Sequence, residues 1–227
     1  MSSVHAYPAA MANNAQKNVN PRLILVGGMP GSGKTTIGSW LAKDKAVFID
    51  KDTASKPFTE SMLKLLGLSI DDRESEAYLS KVRDLEYTAM MDIALENIKL
   101  GHDVICSAPF IKEFDDNEWL ERLEHEAQLW DAELVLVWVT IDPKQARARI
   151  AKRSAGRDTW KMVNWDTYIA KMPLASPSPE ALTIDNSTTP GPSLIDQVID
   201  LQSKIWGPRT VDEAHGALDR QLAPALK

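Results

Sequence analysis

Cysteine is almost missing from this sequence: Cys106 is the only one in 227 residues. A single thiol excludes an internal disulfide framework and suits a reducing, cytoplasmic setting. Long apolar runs are missing too. Nothing approaches the ~20 apolar residues of a membrane helix, and no signal-peptide core stands near Met1, so no membrane partner is expected. His5, His102, His125 and His215 show no metal-ligand spacing, which excludes a zinc site of the usual kind. Positive charge is in deficit, with 26 Lys and Arg against 32 Asp and Glu and a net charge of −6. A surface that tracks nucleic acid is basic, so no nucleic-acid partner is expected.

What is present is an ordinary globular composition, 44% hydrophobic and 26% charged. The length suits one well-buried domain with room for a small lid. Its most informative stretch is Gly28-Met29-Pro30-Gly31-Ser32-Gly33-Lys34-Thr35-Thr36, directly after the apolar run Leu23-Ile24-Leu25-Val26. Gly28, Gly33, Lys34 and Thr35 fit G-x-x-x-x-G-K-[ST], the phosphate-binding P-loop. Glycines let the backbone turn its N–H groups onto phosphate oxygens. Lys34 brings positive charge to the β- and γ-phosphates, and the Thr35 hydroxyl can ligate Mg²⁺. A helix begins here, so its positive dipole end faces the same anion. Gly28, Gly31, Ser32, Gly33, Lys34, Thr35 and Thr36 are therefore the expected ATP-binding residues. No N-K-x-D element of a guanine-specific switch occurs.

From Arg22 onward, short apolar runs alternate with amphipathic stretches, the pattern of an α/β fold with a parallel sheet. Strands are expected over 23–26, 46–50, 104–107, 134–141 and 182–185. Helices are expected over 35–43, 59–66, 74–100, 116–130, 143–153, 160–171 and 194–206. The domain is expected to span 21–207, with a disordered arm over 1–20 and a tail over 208–227 that can add a helix at 211–222. Trp40, Trp130, Trp138 and Trp206 are expected in the core, and Cys106 in a buried strand as a packing residue.

Strand two ends Phe48-Ile49-Asp50-Lys51-Asp52. In an extended chain residues two apart face one side, which would turn Asp50 and Asp52 together toward the P-loop mouth. One carboxylate can hold Mg²⁺ while the other orients an attacking hydroxyl and takes its proton; helix capping is the simpler alternative. Arg147, Arg149, Arg153 and Arg157 lie on or just after a predicted helix starting at Asp142-Pro143. A mobile guanidinium there can meet the charge of a transferring phosphoryl group. Arg153 and Arg157 are the candidates for this role, Arg149 for contact with the adenine, and Arg147 for the surface. Asp142 is read as a helix N-cap.

These motifs, with Cys106-Ser107-Ala108-Pro109 after the third strand, resemble the small P-loop kinases of the gluconate kinase, shikimate kinase and zeta-toxin-like group. The stretch from Arg147 to Met172, with Arg157-Asp158-x-Trp160-Lys161 and Asn164-Trp165-Asp166, is more similar to zeta-toxin-like ATP-binding proteins. The resemblance runs from Arg22 to Trp206. It implies a five-stranded parallel sheet of order 2-3-1-4-5 flanked by helices, with an arginine-bearing lid over about 144–172. It also implies Asp52 as the acceptor-facing acid, Asp50 as the magnesium-side acid, and Ser107 near P-loop and substrate. The lid motif of gluconate kinases is absent, as are the glycine triplet and substrate arginines of shikimate kinases.

The expected activity is phosphoryl transfer from ATP, with Mg²⁺, to a hydroxyl of a small polar metabolite or natural product. Asp52, Lys34, Arg153 and Arg157 are the expected catalytic residues, and Thr35 and Asp50 the expected metal ligands. A toxin-type kinase of a nucleotide-activated amino sugar and a nucleotide-gated regulatory NTPase are the alternatives.

Overall fold

The computed structural model describes residues 20–188 and 191–207. Residues 1–19 of the N-terminal arm expected over 1–20, and the C-terminal tail over 208–227, lie outside the described residues. The chain runs β1 (Arg22–Gly27), α1 (Lys34–Ala42), β2 (Val47–Asp50), α2 (Lys51–Leu65), α3 (Glu76–Lys81), α4 (Arg83–Lys99) and β3 (Val104–Ser107). It continues with α5 (Asn117–Gln128), β4 (Glu133–Thr140), α6 (Pro143–Arg153), α7 (Thr159–Val163), α8 (Trp165–Ile169), β5 (Leu182–Asp185) and α9 (Leu194–Trp206). Three-residue 3₁₀ turns precede α5 and α7, at Glu113–Asp115 and Gly156–Asp158. All strand pairings are parallel and the sheet order is β2-β3-β1-β4-β5, as expected. Among the described residues no helix is long and apolar enough to cross a membrane.

A parallel sheet is buried on both faces, so its strands read as continuous apolar runs. Alternate residues then serve opposite layers. Leu23, Leu25, Val104, Cys106 and Trp138 pack with Met90, Ala94 and Ile98 of α4 and Leu123 and Ala127 of α5. Ile24, Val26, Ile105, Val137, Val139 and Ile184 pack with Ile37 and Leu41 of α1 and Val198, Leu201 and Ile205 of α9. A smaller cluster of Met29, Ile141, Ala146, Ile150, Trp165 and Tyr168 anchors the lid region to the P-loop.

Four expectations need correction. Helix α2 begins at Lys51 rather than at 59, because Asp50 caps it: its Oδ1 accepts from the Thr53 amide at 3.0 Å. The expected helix over 74–100 breaks at Val82, whose φ of −122° is not helical, into α3 and α4. The expected helix over 160–171 splits at Asn164 into α7 and α8. Trp130 is 45% exposed beyond the end of α5, with Lys99 Nζ 5.2 Å from its ring centroid, and is not core. Trp138 is buried as expected, and burial pushes the Cys106 thiol up to about 12, which makes it a packing residue rather than a nucleophile.

Candidate active site

The phosphate side is built by backbone. Gly33 takes φ 96° as the N-cap of α1, and a Cβ there would collide with the Asn186 side chain. Only glycine meets both demands. Gly28 is similarly confined: a Cβ would stand 2.5 Å from the Val139 carbonyl oxygen. Lys34 Nζ donates to the Met29 carbonyl at 3.0 Å, so the lysine lies back along the loop it follows. Its pKa is lowered to about 8. Burial is the main cause, the neighbouring Arg153 and Arg157 add to it, and Asp52 and Asp50 oppose it.

Asp50 and Asp52 reach the loop by a route other than an extended strand. Asp52 lies in the first turn of α2, so the same-side argument fails; it is the turn from strand to capped helix that brings both acids to the P-loop. Asp50 divides its oxygens: Oδ1 caps α2 and Oδ2 accepts from Thr35 Oγ1 at 3.0 Å. Capping and the candidate metal role thus coexist. Thr35 and Asp50 are hard oxygen donors, and Mg²⁺ is commonly held by one or two such groups together with substrate phosphates. Ser107 pairs in register with Asp50 and with Val26, and its buried Oγ finds no partner among the described residues. The donor set fits Mg²⁺. No larger cage of His, Cys, Asp or Glu exists among the described residues.

Asp52 is held from two sides. Lys51 Nζ lies 3.0 Å from Oδ1 and Arg157 Nη1 lies 2.7 Å from Oδ2. Burial would raise the carboxyl's pKa, but Lys51 and then Arg157 outweigh it and hold it below the usual carboxylate range. The side chain is therefore ionised, with each oxygen paired to a cation.

The arginines expected in a lid are each engaged. Arg153 makes a two-pronged contact with the buried Asp158, at 3.0 Å from Nε and 2.6 Å from Nη2. Arg149 Nη2 donates to the Asn186 carbonyl at 2.9 Å, and Asn186 Nδ2 donates to the Ser32 carbonyl at 2.7 Å. Asn186 thereby ties the end of β5 to the P-loop. Arg147, expected on the surface, is exposed with its guanidinium 5.6 Å from the Trp165 ring. Thr36 is exposed. Trp165 is buried and Trp160 is not. Asp142 caps α6, accepting from the Lys144 and Gln145 amides at 2.9 and 3.0 Å.

Sequence reasoning missed the charges that support this side. Lys51 and Glu86 are both buried and pair at 2.5 Å. Lys161 of α7, also buried, reaches Glu74 at 2.8 Å. A Cβ on Gly156 would collide with the Asp71 carboxylate, so that side chain would have to shift. A lysine flanked by two acids, as in Asp50-Lys51-Asp52, was the one signal available for Lys51.

The model of the AAA domain family matches residues 23–174. A comparison with curated proteins finds no match. Among solved structures, a protein of Chloroflexus aurantiacus proposed to be a kinase is 21% identical, with a TM-score of 0.58 over 84% of this chain and 98% of that one. A sugar kinase from Janibacter is 17% identical, with a TM-score of 0.51 over 81% and 93% of the two chains. A gluconokinase from Sinorhizobium meliloti is 16% identical, with a TM-score of 0.50 over 82% and 94%. At such identities the likeness is one of fold, a five-stranded parallel sheet of order β2-β3-β1-β4-β5 behind a P-loop.

Proposed function

The chain belongs to the AAA domain family, and from that premise we propose that it is an ATP-dependent phosphotransferase. It moves the γ-phosphate to a hydroxyl of a small polar metabolite or natural product. The observation that carries this reading is Asp52, a carboxylate in the first turn of α2, two residues beyond the Asp50 that accepts from Thr35 of the P-loop at 3.0 Å, and itself paired with Arg157 at 2.7 Å. An alcohol nucleophile must lose a proton and profits from such a base, whereas an ionised phosphate acceptor does not.

In this reaction the P-loop amides and Lys34 hold the β- and γ-phosphates. Thr35 and Asp50 would hold Mg²⁺, which neutralises phosphate charge when bound. Arg157 leaves Asp52 for the transferring group, where a guanidinium meets charge that grows in the transition state. Asp52 accepts the hydroxyl proton as the acceptor oxygen bonds to the γ-phosphorus. The bond from that phosphorus to the bridging oxygen breaks, and ADP departs. Arg153 assists by its charge, and closure of the lid keeps water from competing.

The test is ATP consumption across a library of metabolites, with products identified by mass spectrometry. A phosphorylated neutral or zwitterionic alcohol, formed with far higher kcat/KM than any mononucleotide, supports the proposal. Efficient phosphorylation of a mononucleotide or a DNA 5′ end, with no small alcohol accepted, overturns it.

A further inference from the structure

Asp52 presents two oxygens with different kinds of partner. Oδ2 meets Arg157, which belongs to the lid. Oδ1 meets Lys51, which belongs to the body of the domain and is 5% exposed. The Lys51 ammonium is fixed from behind by Glu86, 4% exposed, at 2.5 Å. Glu86 is itself fully engaged. Its Oε2 also accepts from the Tyr78 hydroxyl at 2.8 Å, and its Oε1 accepts from Thr59 Oγ1 at 2.6 Å. Helices α2, α3 and α4 thus converge on one carboxylate, which holds the Lys51 ammonium together with two hydroxyls.

A buried ion pair is a weak device for stability, since an apolar pair of similar volume is often as stable or more so. Here it ends on a candidate catalytic group. We propose that Lys51 is the positioning residue of the reaction: backed by Glu86, it holds Oδ1 of Asp52 so that Oδ2 faces the acceptor hydroxyl once Arg157 withdraws. The inference rests on the reading of Asp52 as the base. The proton passes from the acceptor oxygen to Oδ2, and Lys51 neither gains nor loses one. Arg157 and the acceptor compete for the same oxygen, while Lys51 keeps its place throughout.

The experiment is a double-mutant cycle on the full chain. ATP consumption is measured with water and a fixed mixture of polyols, sugars and amino alcohols as the acceptors on offer. Affinity for an N-methylanthraniloyl ATP analogue and the Tm are measured on the same proteins. Lys51→Met/Glu86→Gln removes the pair without stranding a buried charge, and is expected to keep the Tm and the analogue's affinity near wild type. Turnover is expected to fall ~10- to 100-fold, the scale of a small misplacement of a reacting group. Placed on Asp52→Asn, the same two changes are expected to lower turnover no further, because a residue acting through Asp52 has nothing left to act on. A merely structural pair would lower the Tm and multiply the Asp52→Asn loss.

Wild-type turnover in a folded Lys51→Met/Glu86→Gln protein overturns the positioning role, and so does a multiplicative loss in the cycle. Equal turnover of wild type and Asp52→Asn overturns the base reading itself and the inference with it. If the double variant does not fold, Lys51→Gln, which leaves a donor for Glu86, carries the same cycle and the same outcomes.

Discussion

The two banks of the candidate site are built differently. The phosphate bank is nine consecutive residues, Gly28 to Thr36, and its working parts are backbone conformations and one lysine. The bank proposed for the acceptor is assembled from Asp52, Lys51 and Glu74, from Tyr78 and Glu86, and from Arg157 and Lys161. Its working parts are side-chain ion pairs, three of which join residues far apart in the chain while Lys51 and Asp52 are neighbours. The difference follows from what each bank would meet. Phosphate is the same anion in every such reaction, and amide groups at a helix start suffice for it. An acceptor has its own shape and charge, which only side chains can address.

If the banks are separate devices, a change in one should spare the other. The largest expected effect is at Asp52. Asp52→Asn keeps the size and some hydrogen bonding but cannot take a proton, and should lower turnover by about 10²–10⁴. ATP affinity, measured by calorimetry, should stay near wild type. Lost ATP binding with turnover spared would merge the two banks and reassign the residue.

The proposed lid sharpens the comparison, because in the proposed reaction Arg157 serves both banks in turn. Arg153→Ala/Arg157→Ala should lower kcat by about 10²-fold, the scale of losing a preorganised donor to transition-state charge. Affinity for ATP in the resting protein should change far less, since neither arginine is free at rest. Steady-state kinetics beside equilibrium binding separates the two effects. Unchanged kcat would return both arginines to the surface.

On the phosphate bank, Lys34→Ala removes a charge-assisted contact of about 1.5–3 kcal/mol. That corresponds to a Kd for ATP weaker by about 10- to 150-fold. The ion pairs around Asp52 should persist, which a crystal structure of the variant would report. Wild-type ATP affinity in a folded Lys34→Ala protein would remove the phosphate bank from its assigned place.

How much of this could be read from the sequence divides along the same line. The P-loop was legible because the chemistry constrains contiguous residues, and the sheet order followed from the family resemblance. The strands were legible because burial on both faces leaves unbroken apolar runs. The start of α2 was not. Pro57 stands within it and polar residues precede that proline, so helical periodicity is readable only beyond 58, and the capping by Asp50 went unused as a boundary. The role of Glu86 was invisible. A glutamate near the start of a helix usually complements the dipole at the surface, and nothing local says that this one is buried against Lys51. Pairing across 35 residues is decided by how α2 and α4 pack, which one sequence does not spell out.

The smallest expected effect is a pH slope confined to the phosphate bank. Lys34 titrates at about 8 in the free protein, below the ordinary 10.5, chiefly because of its burial. Bound phosphate favours the charged form and pulls the pKa back up. Below pH 8 the lysine is charged with or without nucleotide, so its titration leaves affinity flat. Between about 8 and the bound-state value, the free protein has lost a proton that binding must restore. Metal-free ATP, measured in EDTA to isolate the lysine, should therefore bind with proton uptake and lose at most about tenfold in affinity per pH unit. Calorimetry in buffers of different ionisation enthalpy reads the uptake directly. Lys34→Ala should abolish the slope while Asp52→Asn should retain it, shifted toward lower pH because Asp52 supports the lysine's charge. A slope that survives Lys34→Ala would place the titrating group elsewhere and break the assignment of that charge to the phosphate bank.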